Sequence, residues 1–268
     1  MSVQLAEIVQ RFHRSKSMYR FFDINCWTVS SEREQLQPVI GVEALIQSLD
    51  AQQIHEAVVT SAECLEYNAS VGNENLLSLI APFESLSGSI VWVPELAGTR
   101  NDSLSYIERM IANKVVSVRM FPKKLRYSMN KWQVGDVLKV MEAKRLPLIL
   151  WHMETSWDTV NGICESYPNL PVIIEGNDQK LLYHNRSYIP LLAQHPNLYI
   201  ETHSLIQHGE IEYIVNKCGI DRLLFGTYFP YNDPNGSMMM ITDAEIPEET
   251  KYKIAGDNMR SLIGQITS

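Results

Sequence analysis

Cysteine is scarce in this chain, with four residues in 268. Cys26, Cys64, Cys164 and Cys218 are widely spaced and form no Cys-x-x-Cys pair. That excludes a zinc ribbon and a disulfide scaffold, and fits a reducing cytoplasm. No stretch approaches the ~18 consecutive apolar residues that a membrane-spanning helix needs. The opening Met1-Ser2-Val3-Gln4-Leu5-Ala6-Glu7 has an early acid and no apolar run of signal length, so a cytoplasmic location is expected. Positive charge is also short: 23 Lys and Arg stand against 31 Asp and Glu, a net −8. A nucleic-acid or anionic-membrane partner is therefore not expected. A small anionic ligand would have to be held by local Arg or Lys. No Gly-x-Gly-x-x-Gly follows the first apolar run, which argues against an open dinucleotide-binding sheet.

What the chain does contain is a regular alternation of two apolar periods. Leu5, Ile8, Val9 and Phe12 have helical spacing and predict a short N-terminal helix. Strands are then predicted at 20–27, 54–60, 89–94, 115–120, 147–152, 171–175, 198–202 and 222–226. Helical spacing separates each from the next, as in Val134, Val137, Leu138 and Met141. A last helix carries Tyr252, Ile254, Ala255, Met259, Leu262 and Ile263. Alternating strands and helices imply a parallel sheet. Eight such units in this length predict a single (β/α)8 barrel over residues 1–268, one α/β domain of the TIM-barrel class.

In such a barrel, active sites form at the C-terminal ends of the strands. The candidates are Asn25 and Trp27, Thr60, Glu95, Arg119, His152, Glu175 to Asn177, Thr202 and His203, Thr227 and Tyr228. His152 ends the run Pro147-Leu148-Ile149-Leu150-Trp151 and supplies an imidazole, a base that titrates near neutrality; the structural alternative is a capped, hydrogen-bonded residue. Arg119 is suited to hold a carboxylate or phosphate bidentately, with Lys123, Lys124 and Arg126 close behind. Its alternative is a salt bridge to Glu95 or Glu175. Trp151 alternates with His152 and is expected to face the helix layer. Met238-Met239-Met240 reads as a loop cluster, either a lid, an oligomer contact or a patch buried against the barrel.

Five segments, in order, resemble the amidohydrolase-related family. Phe22-Asp23-Ile24-Asn25-Cys26-Trp27 stands where these barrels begin with Asp-x-His-x-His. Gly72-Asn73-Glu74 resembles their helix start after strand two, and Tyr167-Pro168-Asn169-Leu170-Pro171 the approach to strand six. Leu224-Phe225-Gly226-Thr227-Tyr228-Phe229-Pro230 is similar to their Phe-Gly-Ser-Asp-x-Pro end of strand eight. Ile254-Ala255-Gly256-Asp257-Asn258-Met259-Arg260 resembles their terminal Asn-Ala-x-Arg helix.

The resemblance implies hydrolysis or decarboxylation of small, often carboxylated molecules by a metal-activated water. It also implies a homodimer. The family's metal ligands, carried over by position, fall on Asn25, Trp27, His152, Tyr228 and Gly176. Only His152 is a ligand type, whereas catalytic zinc needs about three protein ligands. The inherited metal is therefore not expected.

The expectation is a small-molecule hydrolase acting on a lactone or carboxylated substrate without that metal. His152 would be the acid or base, Arg119 the anion anchor, Asn25 and Tyr228 the orienting groups, and Trp27, Glu175 and His203 substrate contacts. The alternative is an inactive barrel serving as a ligand-binding or partner subunit. A third arrangement is a displaced zinc site at His152, His203 and Glu201, with Glu175 and Asp233 near. Glu201 and His203 share one strand face, but an acid there is expected to point outward to a helix, leaving His203 as a loop residue.

Overall fold

A computed structural model describes residues 3–28, 41–97, 103–176 and 181–267. In chain order the elements are α1 (Val3–Lys16), β1 (Phe21–Thr28), α2 (Val42–Gln52), β2 (Ile54–Ser61), α3 (Glu63–Glu66), α4 (Ala69–Ile80), β3 (Leu86–Val91), α5 (Ser103–Ala112), β4 (Val115–Met120), α6 (Lys131–Lys144), β5 (Leu148–Trp151), α7 (Trp157–Ser166), β6 (Val172–Glu175), α8 (Asn185–Gln194), β7 (Leu198–Glu201), α9 (Glu210–Cys218), β8 (Leu223–Leu224), α10 (Pro234–Thr242), α11 (Glu248–Tyr252) and α12 (Asn258–Ile263). The eight strands are parallel and lie in sequence order. The seam between β8 and β1 is drawn together by Ile24 N–H donating to Phe225 O (3.0 Å) and Trp27 N–H to Phe229 O (2.8 Å). The (β/α)8 barrel with an N-terminal helix is the architecture that the alternation predicts.

The strands are largely buried on both faces because helices cover the outside and the barrel interior encloses the inside. Outward residues such as Leu148, Leu150, Val172, Ile174 and Ile200 join Val134, Leu138, Ile163 and Ile214 of the helices in one large core. Buried amides tie helices to strand ends. Asn73 of α4 bonds both ways to the Val91 backbone (2.9 Å each), and Asn258 donates to Ile220 O and Leu223 O (2.9 Å each). Asn73 lies inside a helix that starts earlier, at Ala69, where Asn68 caps the first turn.

Strand eight is shorter than its apolar run. Phe225 N–H turns to Ile254 O (3.1 Å) instead of continuing a ladder. Ile254 lies in a π-helical turn, Lys253–Asp257, that breaks the last helix in two. Gly256 permits this close approach, since a Cβ there would lie 2.6 Å from Arg20 O. The three methionines are helical, in α10, with Met238 fully buried and Met239 partly exposed.

Candidate functional site

Side chains pointing into the barrel form three tiers. The lowest is apolar: Phe22, Ile24, Val58, Val116, Ile149, Ile173 and Leu224, closed from below by Met259 and Leu262 of α12. The uppermost is largely aromatic, built on Trp27, Ala62, Val91 and Phe121, with Trp151, Tyr228 and Tyr231 packed against them. Between them lie Asn25, Thr60, Ser89, Ser117, Arg119, Glu175 and Glu201, each at most 1% exposed. Layered filling is normal for this fold; a charged middle layer is not, because buried ions need partners.

Arg119 is the centre of that layer. Its Nη1 is ion-paired with Glu175, and its Nη2 donates to Ile24 O (3.1 Å) and Asn25 Oδ1 (3.3 Å). The guanidinium carbon lies 5.2 Å from the Trp27 ring centre. Trp27 Nε1–H donates to the same Asn25 oxygen at 2.9 Å. The salt bridge to Glu175 is thus the arrangement present, and the guanidinium is closed to solvent. Burial pushes the Glu175 carboxyl up, against the pull of Arg119.

Asp23 and Glu201 complete the cluster. The Asp23 carboxylate accepts from Thr227 N–H (3.1 Å), from Asn25 N–H (2.9 Å) and from the Thr227 hydroxyl. Burial raises its pKa, and the Thr227 bond opposes the rise. Glu201 turns inward, contrary to the expectation from its residue type. Its carboxylate accepts from His203 N–H (2.8 Å) and meets His203 Nδ1. Gly226, just past β8, explains the inward turn, since a Cβ there would overlap the Glu201 carboxylate. His203 is a partner of that acid, and its side chain is 2% exposed. Its ring stacks on Tyr228 (5.7 Å), which stacks on Tyr231 (4.7 Å) and meets Trp27 edge-on (6.4 Å). Tyr228 holds a left-handed backbone, φ 59°, uncommon for a bulky residue.

His152 and Trp151 exchange their expected places. Ile149 and Trp151 share the inner face, so Trp151 belongs to the aromatic tier and bonds Gly176 O (2.8 Å). The strand ends there and the chain enters a 3-10 turn, His152–Glu154, so alternation no longer predicts where His152 points. His152 Nδ1 lies 3.3 Å from Glu175 O, and its ring meets His184 edge-on at 5.0 Å. His184 Nδ1 in turn accepts from Trp157 Nε1 (3.1 Å). The structure therefore gathers Asn25, Trp27, Arg119, Glu175, His203 and Tyr228, while His152 sits toward α7 and α8.

The remaining candidates are elsewhere. Asp233 caps α10 by accepting from Asn235 N–H (2.8 Å). Lys123 and Lys124 give their backbone N–H groups to Glu154 (2.8 and 2.9 Å). Glu95 is exposed, and Asn177 lies outside the described residues. Sequence reasoning missed Asp23 and Thr227 as a pair; no local pattern signals a contact between the first and last strands.

The donor set does not fit the family's metal. Asn25 spends its carbonyl on Trp27 and Arg119, Trp27 and Gly176 offer no ligand side chain, and Tyr228 is stacked between rings. Among the described residues, no three His, Cys, Asp or Glu side chains are grouped to hold a metal ion, the His152–His203–Glu201 arrangement included.

No curated protein matches the chain. Several solved structures share its fold at low identity. An uncharacterised TIM-barrel protein from Bordetella bronchiseptica is 17% identical, with a TM-score of 0.66, covering 84% of this chain and 83% of its own. A dihydroxybenzoic acid decarboxylase from Polaromonas sp. JS666, with bound manganese and 2-nitroresorcinol, is 15% identical (TM-score 0.71; coverage 92% and 97%). A 5-carboxyvanillate decarboxylase from Novosphingobium aromaticivorans DSM 12444, also with manganese, is 10% identical (TM-score 0.74; coverage 93% and 98%). The Amidohydrolase family profile matches residues 25–264, nearly the whole barrel. With the motif order and the fold in agreement, the chain belongs to the amidohydrolase family, as a diverged member that lacks most of the metal ligands.

Proposed function

We propose that this protein is a non-catalytic member of its family, a barrel that binds a ligand or partner and no longer activates water on a metal. One observation carries the reading: the centre of the barrel is occupied by the Arg119 guanidinium, ion-paired with Glu175 and bonded to Asn25. A fixed cation there neutralises buried carboxylate and repels a divalent ion. The roof of Trp27, Phe121 and Tyr228 shields the same centre. Four free thiols, three of them buried, suit a reducing compartment. Among the described residues, no helix is long and apolar enough to cross a membrane.

The test is turnover with and without added manganese or zinc, against lactones and carboxylated phenols of the kind the neighbouring decarboxylases are named for. The expected result is no turnover under either condition. Metal-dependent turnover would overturn the reading.

A metal-free hydrolase is the second reading, favoured by the Glu201–His203 contact. A carboxylate on Nδ1 fixes an imidazole's tautomer and leaves Nε2 to act as base. His203 would then take the role first assigned to His152, with Tyr228 and Trp27 lining the substrate. Metal-free lactone hydrolysis lost in His203→Gln would select it.

A further inference from the structure

The middle tier contains a row of hydroxyls that no partner satisfies among the described residues. Val59 of β2 pairs with Gly88 of β3, and Ser89 of β3 pairs with Ser117 of β4. Thr60, Ser89 and Ser117 therefore lie side by side across three strands. All three are fully buried, as is Arg119, two residues beyond Ser117. Among the described residues, their hydroxyl oxygens and Arg119 Nε have no hydrogen-bond partner. Roughly 90% or more of buried polar groups are paired with protein or with ordered water. Four orphans in one layer of one barrel point to a common partner.

The chemistry of the set limits what that partner is. Neighbouring strands lie about 4.8 Å apart, a span that one water can bridge, and these hydroxyls are not bonded to one another. Hydroxyls donate and accept while Nε–H only donates, so the partner must do both. A further anion would face Asp23, Glu175 and Glu201 in the same cluster; a cation would face the guanidinium. A neutral donor–acceptor is left.

We propose that the barrel's middle tier is an internal hydration site, in which buried water bridges Thr60, Ser89, Ser117 and Arg119 Nε. The aromatic roof and apolar floor enclose it. Water there satisfies the edge of Arg119 that Glu175 and Asn25 do not reach, so the guanidinium is bonded on every side.

Ser89→Ala and Ser117→Ala test this by the sign of the change, and both are small enough to leave the fold intact. Removing a water-bonded hydroxyl breaks a bond and lowers Tm, by about 2–4 °C for a chain of this size. Removing a truly orphaned hydroxyl relieves a buried unpaired group, and Tm then holds or rises, which would overturn the proposal. A high-resolution crystal structure of the wild type should show solvent density within hydrogen-bond distance of at least two of the four atoms. Empty density would overturn the proposal. So would an anomalous peak at that point in crystals grown with bromide, because it would make the occupant an ion.

Discussion

The floor of the barrel and the tier above it are built on the same eight strands by the same alternation, yet they follow opposite rules. Phe22, Ile24, Val58, Ile149, Ile173 and Leu224 fill the floor with apolar side chains that need only fit. In the tier above, Arg119, Glu175 and Glu201 must each be matched by a charge or a bond. The floor tolerates change in proportion to volume lost. The polar tier does not, because removing one partner strands another in a medium that cannot solvate it. The difference explains how a family member can lose its metal ligands and keep its fold: an internal guanidinium matches the buried Glu175 carboxylate.

The largest expected effect breaks that centre. Arg119→Met removes the buried ion-pair partner of Glu175 and should cost about 3–5 kcal/mol in urea unfolding. Pairing it with Glu175→Leu should restore much of the loss, since no charge is then stranded. Thr227→Val removes a hydroxyl from the Asp23 carboxylate and should cost about 1.5–3 kcal/mol. In the floor, Ile173→Val should cost only about 0.5–1.5 kcal/mol. At the surface, Arg11→Ala, which breaks a bridge to Asp243 from a side chain 61% exposed, should change stability by no more than about 0.5 kcal/mol.

The pH dependence sharpens the same contrast. Burial holds the folded Asp23 pKa above its ordinary value. The folded state then keeps a proton that the unfolded chain releases. The stability that Asp23 contributes is thus fully present below the ordinary carboxylate range and is lost as pH rises through its raised value. Wild type should lose ground to Asp23→Asn as pH increases from acid toward neutral, measured as the difference between their unfolding free energies. A difference that grows in favour of wild type would mean that its hydrogen bonds outweigh burial.

The floor and the strand order were legible in the sequence because apolar runs such as Val172-Ile173-Ile174 report burial directly. The polar tier was legible only in part. Arg119 could be paired with Glu175 from strand-end position alone, as one of two alternatives. With His152 read as the inward residue, Trp151 is expected to face the helix layer, but alternation applies only while a strand continues and β5 stops at Trp151. Glu201 read as an outward acid, since the space it enters is made by a glycine just past the end of the next strand. The Asp23–Thr227 contact joins the two ends of the barrel, a separation over which no sequence pattern is informative.

The central claim, that a guanidinium stands where the family's metal chemistry would need a ligand set, is tested most directly by metal content. Protein purified without chelator or added metal would be measured by elemental mass spectrometry. Zinc, manganese and iron are expected near zero per chain. One equivalent of any of them would contradict it and turn attention to His203, Glu201 and Glu175 as ligands.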